Sequence, residues 1–237
     1  MEWTDDGIVL ASRRHGETSS VVSLFARDHG RYAGLVRGGA GKRARAAIQP
    51  GNRVQVTWKA RLAEQLGTFT WEPQSAEGTR WLRDSRRLAA VASACALIEA
   101  TMPERESHPA AFAGLADLLA RMDAEDWPSA YARWELALLA ELGYGLDLAT
   151  CAATGRNDDL AFVSPRTGRA VSLAAGEPYR DRLLALPRFV AEGGAGSPAE
   201  IAEALALSGH FLERWVFATI GKRVPAARTR LVALLKP

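Results

Sequence analysis

Over roughly the first 75 residues, apolar and polar positions alternate as they do in strands. Ile8-Val9-Leu10 opens the series, Val21-Val22-Ser23-Leu24-Phe25 follows, and then Arg31-Tyr32-Ala33-Gly34-Leu35-Val36. Val54, Val56 and Trp58 fall on one face at period two, and Gln55, Thr57 and Lys59 on the other. Leu66, Phe69 and Trp71 lie in a last strand-like stretch. Asp28-His29-Gly30 is a turn signal between the second and third strands. Five short strands in this length predict a small closed barrel, which leaves no sheet edge open.

From Asp84 the period turns helical. Leu88, Val91, Cys95, Ile98 and Met102 line one face, and Pro103 ends it. Phe112, Leu115, Leu119 and Met122 mark a second helix. Pro128 starts a third, which buries Tyr131, Trp134, Leu138 and Leu142, with Gly143 as its C′ residue. From Cys151 to Gly176 the pattern is irregular, with turn signals at Gly155, Pro165 and Gly168. Gly193, Gly194 and Gly196 form a flexible link. Ser197-Pro198-Ala199-Glu200 then reads as a capping box with proline at N1. Ile201, Leu205, Ser208, Leu212 and Trp215 share the face of the helix behind it, and Pro225 precedes a last short helix to Leu235. The fold class is therefore α+β: a barrel over residues 1–77, then a mostly helical domain over 78–237, with the boundary near Gly78.

Composition narrows the setting. Hydrophobic residues make up 48% of the 237, enough for a real core, and no apolar run is long enough to span a bilayer. Met1-Glu2-Trp3-Thr4-Asp5-Asp6 is acidic and is not expected to be a signal peptide. Two cysteines do not make a disulfide framework. A cytoplasmic protein without a membrane partner is the expectation.

Charge changes the picture more. Between Ser12 and Leu62 stand Arg13, Arg14, Arg27, Arg31, Arg37, Lys42, Arg43, Arg45, Arg53, Lys59 and Arg61, against only Glu17 and Asp28. That segment carries +9 while the whole chain carries +3, which leaves the remainder at −6. Charge segregated this far points to a polyanion partner, and a small basic β-domain is a common carrier of nucleic-acid binding. A solvated basic surface without a partner is the plainer alternative.

Catalytic and metal chemistry find little support. Gly38-Gly39-Ala40-Gly41-Lys42-Arg43 has the flavour of a phosphate loop, but Val36 stands where a Walker loop needs glycine and Arg43 where it needs Ser or Thr. The run is expected to be a mobile basic loop that meets a phosphate backbone, or simply an exposed linker. His15, His29, His108 and His210 lack zinc-protease spacing, and His15 with Glu17, two positions apart on a strand, is not expected to be a catalytic acid–base pair. Cys95 reads as core. Cys151-Ala152-Ala153-Thr154-Gly155 has the outline of a zinc knuckle that lost its second ligand, so no metal and no cofactor are expected. Tyr32, Trp58, Phe69 and Trp71 could stack on bases or fill the barrel; Trp58 reads as core, while Phe69 and Trp71 share a face of either kind.

Several runs then become recognisable in order. They are Gly7-Ile8-Val9-Leu10, Arg14-His15-Gly16-Glu17-Thr18-Ser19, Leu24-Phe25-Ala26-Arg27-Asp28-His29-Gly30-Arg31, Val36-Arg37-Gly38-Gly39 and Ile48-Gln49-Pro50. Arg133-Trp134-Glu135-Leu136-Ala137-Leu138-Leu139-Ala140-Glu141-Leu142-Gly143-Tyr144-Gly145 and Gly221-Lys222-Arg223-Val224-Pro225-Ala226-Ala227-Arg228 complete the series. In order and spacing they resemble the RecO family of DNA repair proteins, over nearly the whole chain.

The resemblance implies an N-terminal OB-fold that binds DNA, followed by a helical domain. It implies a non-enzymatic recombination mediator of the RecF pathway, nucleoid-associated, that binds single- and double-stranded DNA and anneals complementary strands. With RecR such a protein helps RecA displace single-strand-binding protein (SSB), whose acidic tail it also binds. On this basis Arg13, Arg14, Arg31, Arg37, Lys42, Arg43, Arg45, Arg53 and Lys59 are candidate DNA contacts. Arg133 is the first candidate for the SSB tail, with Lys222 and Arg223 next. Many members carry a four-cysteine zinc site. Here Cys151 alone remains in a degenerate zinc-finger-like loop over about 148–177, with Thr154, Ser172 and Ala175 in the other positions. An OB-fold RNA-binding accessory of the ribosome or translation is the alternative. A nuclease or ATPase would need clustered carboxylates or a phosphate loop, and neither is present.

Overall fold

The computed structural model describes residues 1–62, 64–74, 80–81 and 83–237, apart from the Arg43 side chain. The expected boundary at Gly78 lies outside the described residues. Contacts divide the chain into two compact units, Met1–Leu119 with Pro225–Leu231, and Ala120–Val224 with Val232–Pro237.

The first unit is built on β1 (Glu2–His15), β2 (Ser19–Ala26), β3 (Gly30–Val36), β4 (Arg53–Lys59) and β5 (Thr68–Pro73). They close into a barrel in the order β1-β2-β3-β5-β4, the topology of an OB-like fold. β1 is long enough to serve two neighbours: Glu2 to Ile8 pair with β4, and Gly7 to His15 pair with β2. A register shift between Val9 and Ala11 provides the bend between those two roles.

Closure is made by the short parallel contact of β3 with β5, where Leu35 pairs with Thr68 and donates its N–H to Gly67 O at 3.0 Å. Gly67 sits at φ +68°, and a Cβ there would lie 2.3 Å from Trp58 Nε1. Val9, Val22, Leu24, Val36, Val54, Val56, Trp58 and Phe69 fill the interior. Trp58 is 1% exposed and donates its indole N–H to Leu66 O at 3.1 Å. Trp3, Tyr32 and Trp71 pack against this core. Phe69 and Trp71, open to either reading in the sequence, thus belong to the barrel interior and its margin.

The run from Gly38 differs from its expectation as a mobile loop. Residues 37–40 turn, and Lys42–Ala47 form a short helix, α1, ended by the Ile48 N–H bonding Ala44 O at 3.0 Å. The alanines at 44, 46 and 47 favour helix once the glycines are past.

This unit also holds α2 (Ser85–Thr101), most of α3 (Pro109–Arg121) and the segment Pro225–Leu231. Asp84 caps α2 by accepting the Arg86 and Arg87 N–H groups. Of the expected faces, Val91, Cys95, Ile98 and Met102, then Phe112, Leu115, Leu119 and Met122, are buried, while Leu88 is only partly so. Cys95 lies 3.6 Å from Val9 O, Ser23 Oγ bonds the Glu99 carboxylate, and Phe25 meets Phe112 at 5.9 Å. Burial pushes the Cys95 thiol up to about 12.

The second unit contains α4 (Trp127–Glu141), which buries Tyr131, Trp134 and Leu138 as expected, and Leu139 where Leu142 was expected. Gly143, at φ +83°, ends it: its N–H bonds Ala140 O at 3.0 Å, and the Tyr144 N–H bonds Leu139 O at 2.8 Å. The stretch read as irregular instead holds a three-stranded sheet of β6 (Leu160–Val163), β7 (Ala170–Ser172) and β8 (Leu184–Ala185), in the order β7-β6-β8. Strands of two to four residues are too short to register as alternation.

Two short helices, α5 (Leu173–Gly176) and α6 (Arg188–Ala191), flank β8, and a 3₁₀ turn spans Glu177–Arg182. Then α7 (Pro198–Phe211) opens on the capping box of Ser197 with Glu200. It continues as a π-turn over Leu212–Phe217, which advances the buried face by one position. Val216 and Phe217 are therefore buried and Trp215 is only partly so, against the expectation for Trp215. The last helix, α8, covers Ala226–Leu235, with its residues up to Leu231 in the first unit and the rest in the second.

Candidate nucleic-acid interface

The basic residues of the barrel divide into two groups with different fates. Arg13 and Arg14 end β1, where Arg14 pairs with Ser20 of β2, and Ser20 in turn pairs with Val36 of β3. Arg37 follows that strand. The 37–40 turn is tied to the β1–β2 turn by the Ala40 N–H bonding Thr18 O at 3.0 Å. It carries α1, with Lys42 and Arg45, to the same end of the barrel.

Arg13, Arg14, Arg37, Lys42 and Arg45 are all exposed. Among the described residues, no carboxylate pairs with any of them. Arg14 is held in place by donating Nε to Gly16 O at 3.2 Å and Nη2 to Glu17 O at 3.0 Å. Carbonyls fix its direction without cancelling its charge. A basin of about 290 Å³ opens here, lined by Ser12, Arg14, Ser20, Ala40, Arg45, Ile48 and Gln49. Arg43 belongs to α1, and its side chain lies outside the described residues.

The other nominated cations sit elsewhere. Arg31 is 16% exposed; it bonds Glu104 at 3.1 Å and Met102 O at 2.9 Å, with Glu99 at 3.7 Å. Lys59 pairs with Glu2 at 3.1 Å, at the opposite end of β1 from Arg14. Arg53 lies half-buried opposite Ile8, midway along β1. Arg27, part of the same charge count, pairs with Asp6 at 2.6 Å. The +9 segment is thus partly neutralised over most of the barrel and concentrated at one end.

Comparison with known proteins bears on what this basic end serves. The recombination protein O N-terminal family matches residues 1–73, and the recombination protein O C-terminal family matches residues 82–223. The chain belongs to the recombination protein O family. It is 56% identical to a DNA repair protein RecO of Rhodospirillum centenum, over 98% of this chain and 94% of that one. It is 49% identical to the DNA repair protein RecO of Rhodospirillum rubrum, over 100% and 97%, and 47% identical to one of Cereibacter sphaeroides, over 99% and 98%. Family membership carries a DNA repair role. Among the described residues no helix is long and apolar enough to cross a membrane.

The second recombination protein O unit carries the remaining candidates. Arg133 donates Nη1 to Gly194 O at 2.7 Å, and its guanidinium lies 5.5 Å from the Phe189 ring centre. It therefore ties down the glycine-rich segment before α7. Trp134 beside it is buried. Lys222 and Arg223 are exposed after the π-turn.

The zinc site implied by the resemblance can be tested on the donors present here. Cys151 Sγ accepts the Ser172 N–H at 3.2 Å and lies 3.4 Å from Ser172 Oγ. Hydrogen bonds from the Ser172 and Thr154 side chains pull the Cys151 thiol down to about 6. Sequence reading assigned Thr154 and Ser172 to the former ligand positions, and both sit against Cys151. One thiol with two neutral hydroxyls does not fit a structural zinc, which takes four Cys, His or carboxylate ligands.

Sequence reasoning missed Ser12, Ser20 and Gln49 as basin residues. Uncharged side chains leave no mark in a charge count. The available signal was positional: Ser12 shares the Arg14 face of β1 at period two.

Proposed function

We propose that this chain is a non-enzymatic DNA repair and recombination mediator, cytoplasmic and nucleoid-associated. It binds single- and double-stranded DNA, anneals complementary strands and, with RecR, helps load RecA on SSB-coated single strands. The observation that carries the reading is the cluster of Arg13, Arg14, Arg37, Lys42 and Arg45 at one end of an OB-like barrel, without a carboxylate partner among the described residues.

Annealing needs two phosphate backbones neutralised side by side, and cations on adjoining strands and α1 supply that without reading base edges. The barrel aromatics support the same conclusion from the other side. Trp58 and Phe69 are core, so binding is electrostatic rather than built on those two rings. Arg31, Arg53 and Lys59 contribute less than the five, because each is paired or partly buried. In the second unit, Lys222 and Arg223 are the exposed cations for the acidic, Phe-terminated tail of SSB, with Arg133 in support.

An annealing assay on SSB-coated complementary strands tests this role. The full chain accelerates strand pairing, and RecR then allows RecA to assemble. A chain that binds neither strand and leaves the pairing rate unchanged removes the proposal.

A further inference from the structure

The basin at the basic end is shaped unlike a strip of surface charge. Arg14 and Arg45 line it from β1 and α1, with Ser12, Ser20 and Gln49 also in its lining, and no carboxylate is among its described lining residues. Ser20 is 4% exposed as a residue, and what remains accessible of it faces the basin it lines, with no hydrogen bond to its hydroxyl among the described residues. A hydroxyl on the wall of such a basin is free to donate to a ligand oxygen placed between the two guanidiniums. Arg14 is already oriented by two backbone carbonyls, at 3.2 and 3.0 Å. Gln49 is oriented by donating to Arg45 O at 2.8 Å.

Charge and donor number select among phosphates. An internal phosphodiester carries one negative charge. A terminal phosphomonoester carries about −1.5 to −2 near pH 7 and offers three acceptor oxygens. Two guanidiniums with two hydroxyls match the second better than the first. A concave basin also suits a group that ends a chain better than one that must run on.

We propose that this basin seats the terminal phosphate of a DNA strand between Arg14 and Arg45, with Ser20 donating to one of its oxygens. The inference rests on the DNA-binding reading above and assigns a ligand to one part of that surface. A strand end held here fixes where the chain sits on its DNA, while Arg13, Arg37 and Lys42 follow the backbone leading away.

The test is a fluorescence-anisotropy titration of the full chain with three short oligonucleotides of one sequence: 5′-phosphorylated, 3′-phosphorylated, and hydroxyl at both ends. One phosphorylated form binds about tenfold tighter than the hydroxyl form, about 1.4 kcal/mol, and which form it is identifies the end. Ser20→Ala and Arg45→Ala each bring that ratio towards one. Ser20→Ala removes no charge, so its effect separates a built seat from general attraction. Equal affinity for all three oligonucleotides overturns the seat but leaves DNA binding standing. A ratio that persists in both variants also overturns it. Failure of all three to bind overturns the DNA-binding reading itself.

Discussion

The Arg31 guanidinium bonds the Glu104 carboxylate at 3.1 Å, across seventy-three positions of sequence, and so joins β3 to the segment after α2. The same side chain donates Nε to Met102 O. Its charge is therefore spent largely inside the first unit.

Arg31→Ala is expected to cost about 1–2 kcal/mol of stability, given one charge-assisted bond and partial exposure. DNA affinity should change less than twofold. Urea denaturation and a DNA titration of the same preparation read both. Lost affinity at unchanged stability would return Arg31 to the interface.

Gly67→Ala should damage barrel closure. The residue combines φ +68° with a Cβ position 2.3 Å from Trp58 Nε1, and its carbonyl accepts the Leu35 N–H. The expected loss is roughly 2–4 kcal/mol in chemical denaturation. A loss below half a unit of that scale would mean β5 closes the barrel some other way.

How much of this was legible in the sequence depended on the range of the signal. Val54, Val56 and Trp58 announced their strand by alternation, and Ser197 with Glu200 announced a helix start, because both patterns are local. α1 was hidden because six helical residues follow a glycine-rich run that dominates any short window. β8 was hidden because a two-residue strand exists only through its pairing with β6. The π-turn shifted the buried face from Trp215 to Val216, which no helical period anticipates. For the candidate interface, the excess of cations was plain, but their fates were not. Arg31 meets Glu99 and Glu104, and Lys59 meets Glu2, only after folding. Arg14 and Arg45 meet at one basin for the same reason.

Cys151 and Cys95 should titrate far apart. Hydrogen bonds from Ser172 and Thr154 hold Cys151 near 6, while burial holds Cys95 near 12. Thiolate absorbance followed against pH should therefore rise once near 6 and not again until the strongly alkaline range. A single rise at the ordinary value of about 8.5 would contradict the Cys151 environment. Because the folded value lies below the unfolded one, the thiolate adds stability at alkaline pH. That contribution is full above about 8.5 and fades as pH falls towards about 6.

Metal removal should leave the chain unchanged. Cys151, Ser172 and Thr154 are too poor a donor set for structural zinc, so a strong chelator is expected not to shift the melting temperature. One zinc per chain in elemental analysis, lost together with stability on chelation, would contradict this.

The salt dependence of DNA binding tests the central claim most directly. Arg14→Ala, Lys42→Ala and Arg45→Ala together remove three of the exposed, carboxylate-free cations at one end of the barrel. The slope of log affinity against log salt should flatten by about 2–3 units relative to the unmodified chain, on single and double strands alike. An unchanged slope, with the variant still folded, would contradict the placement of the DNA path at that end.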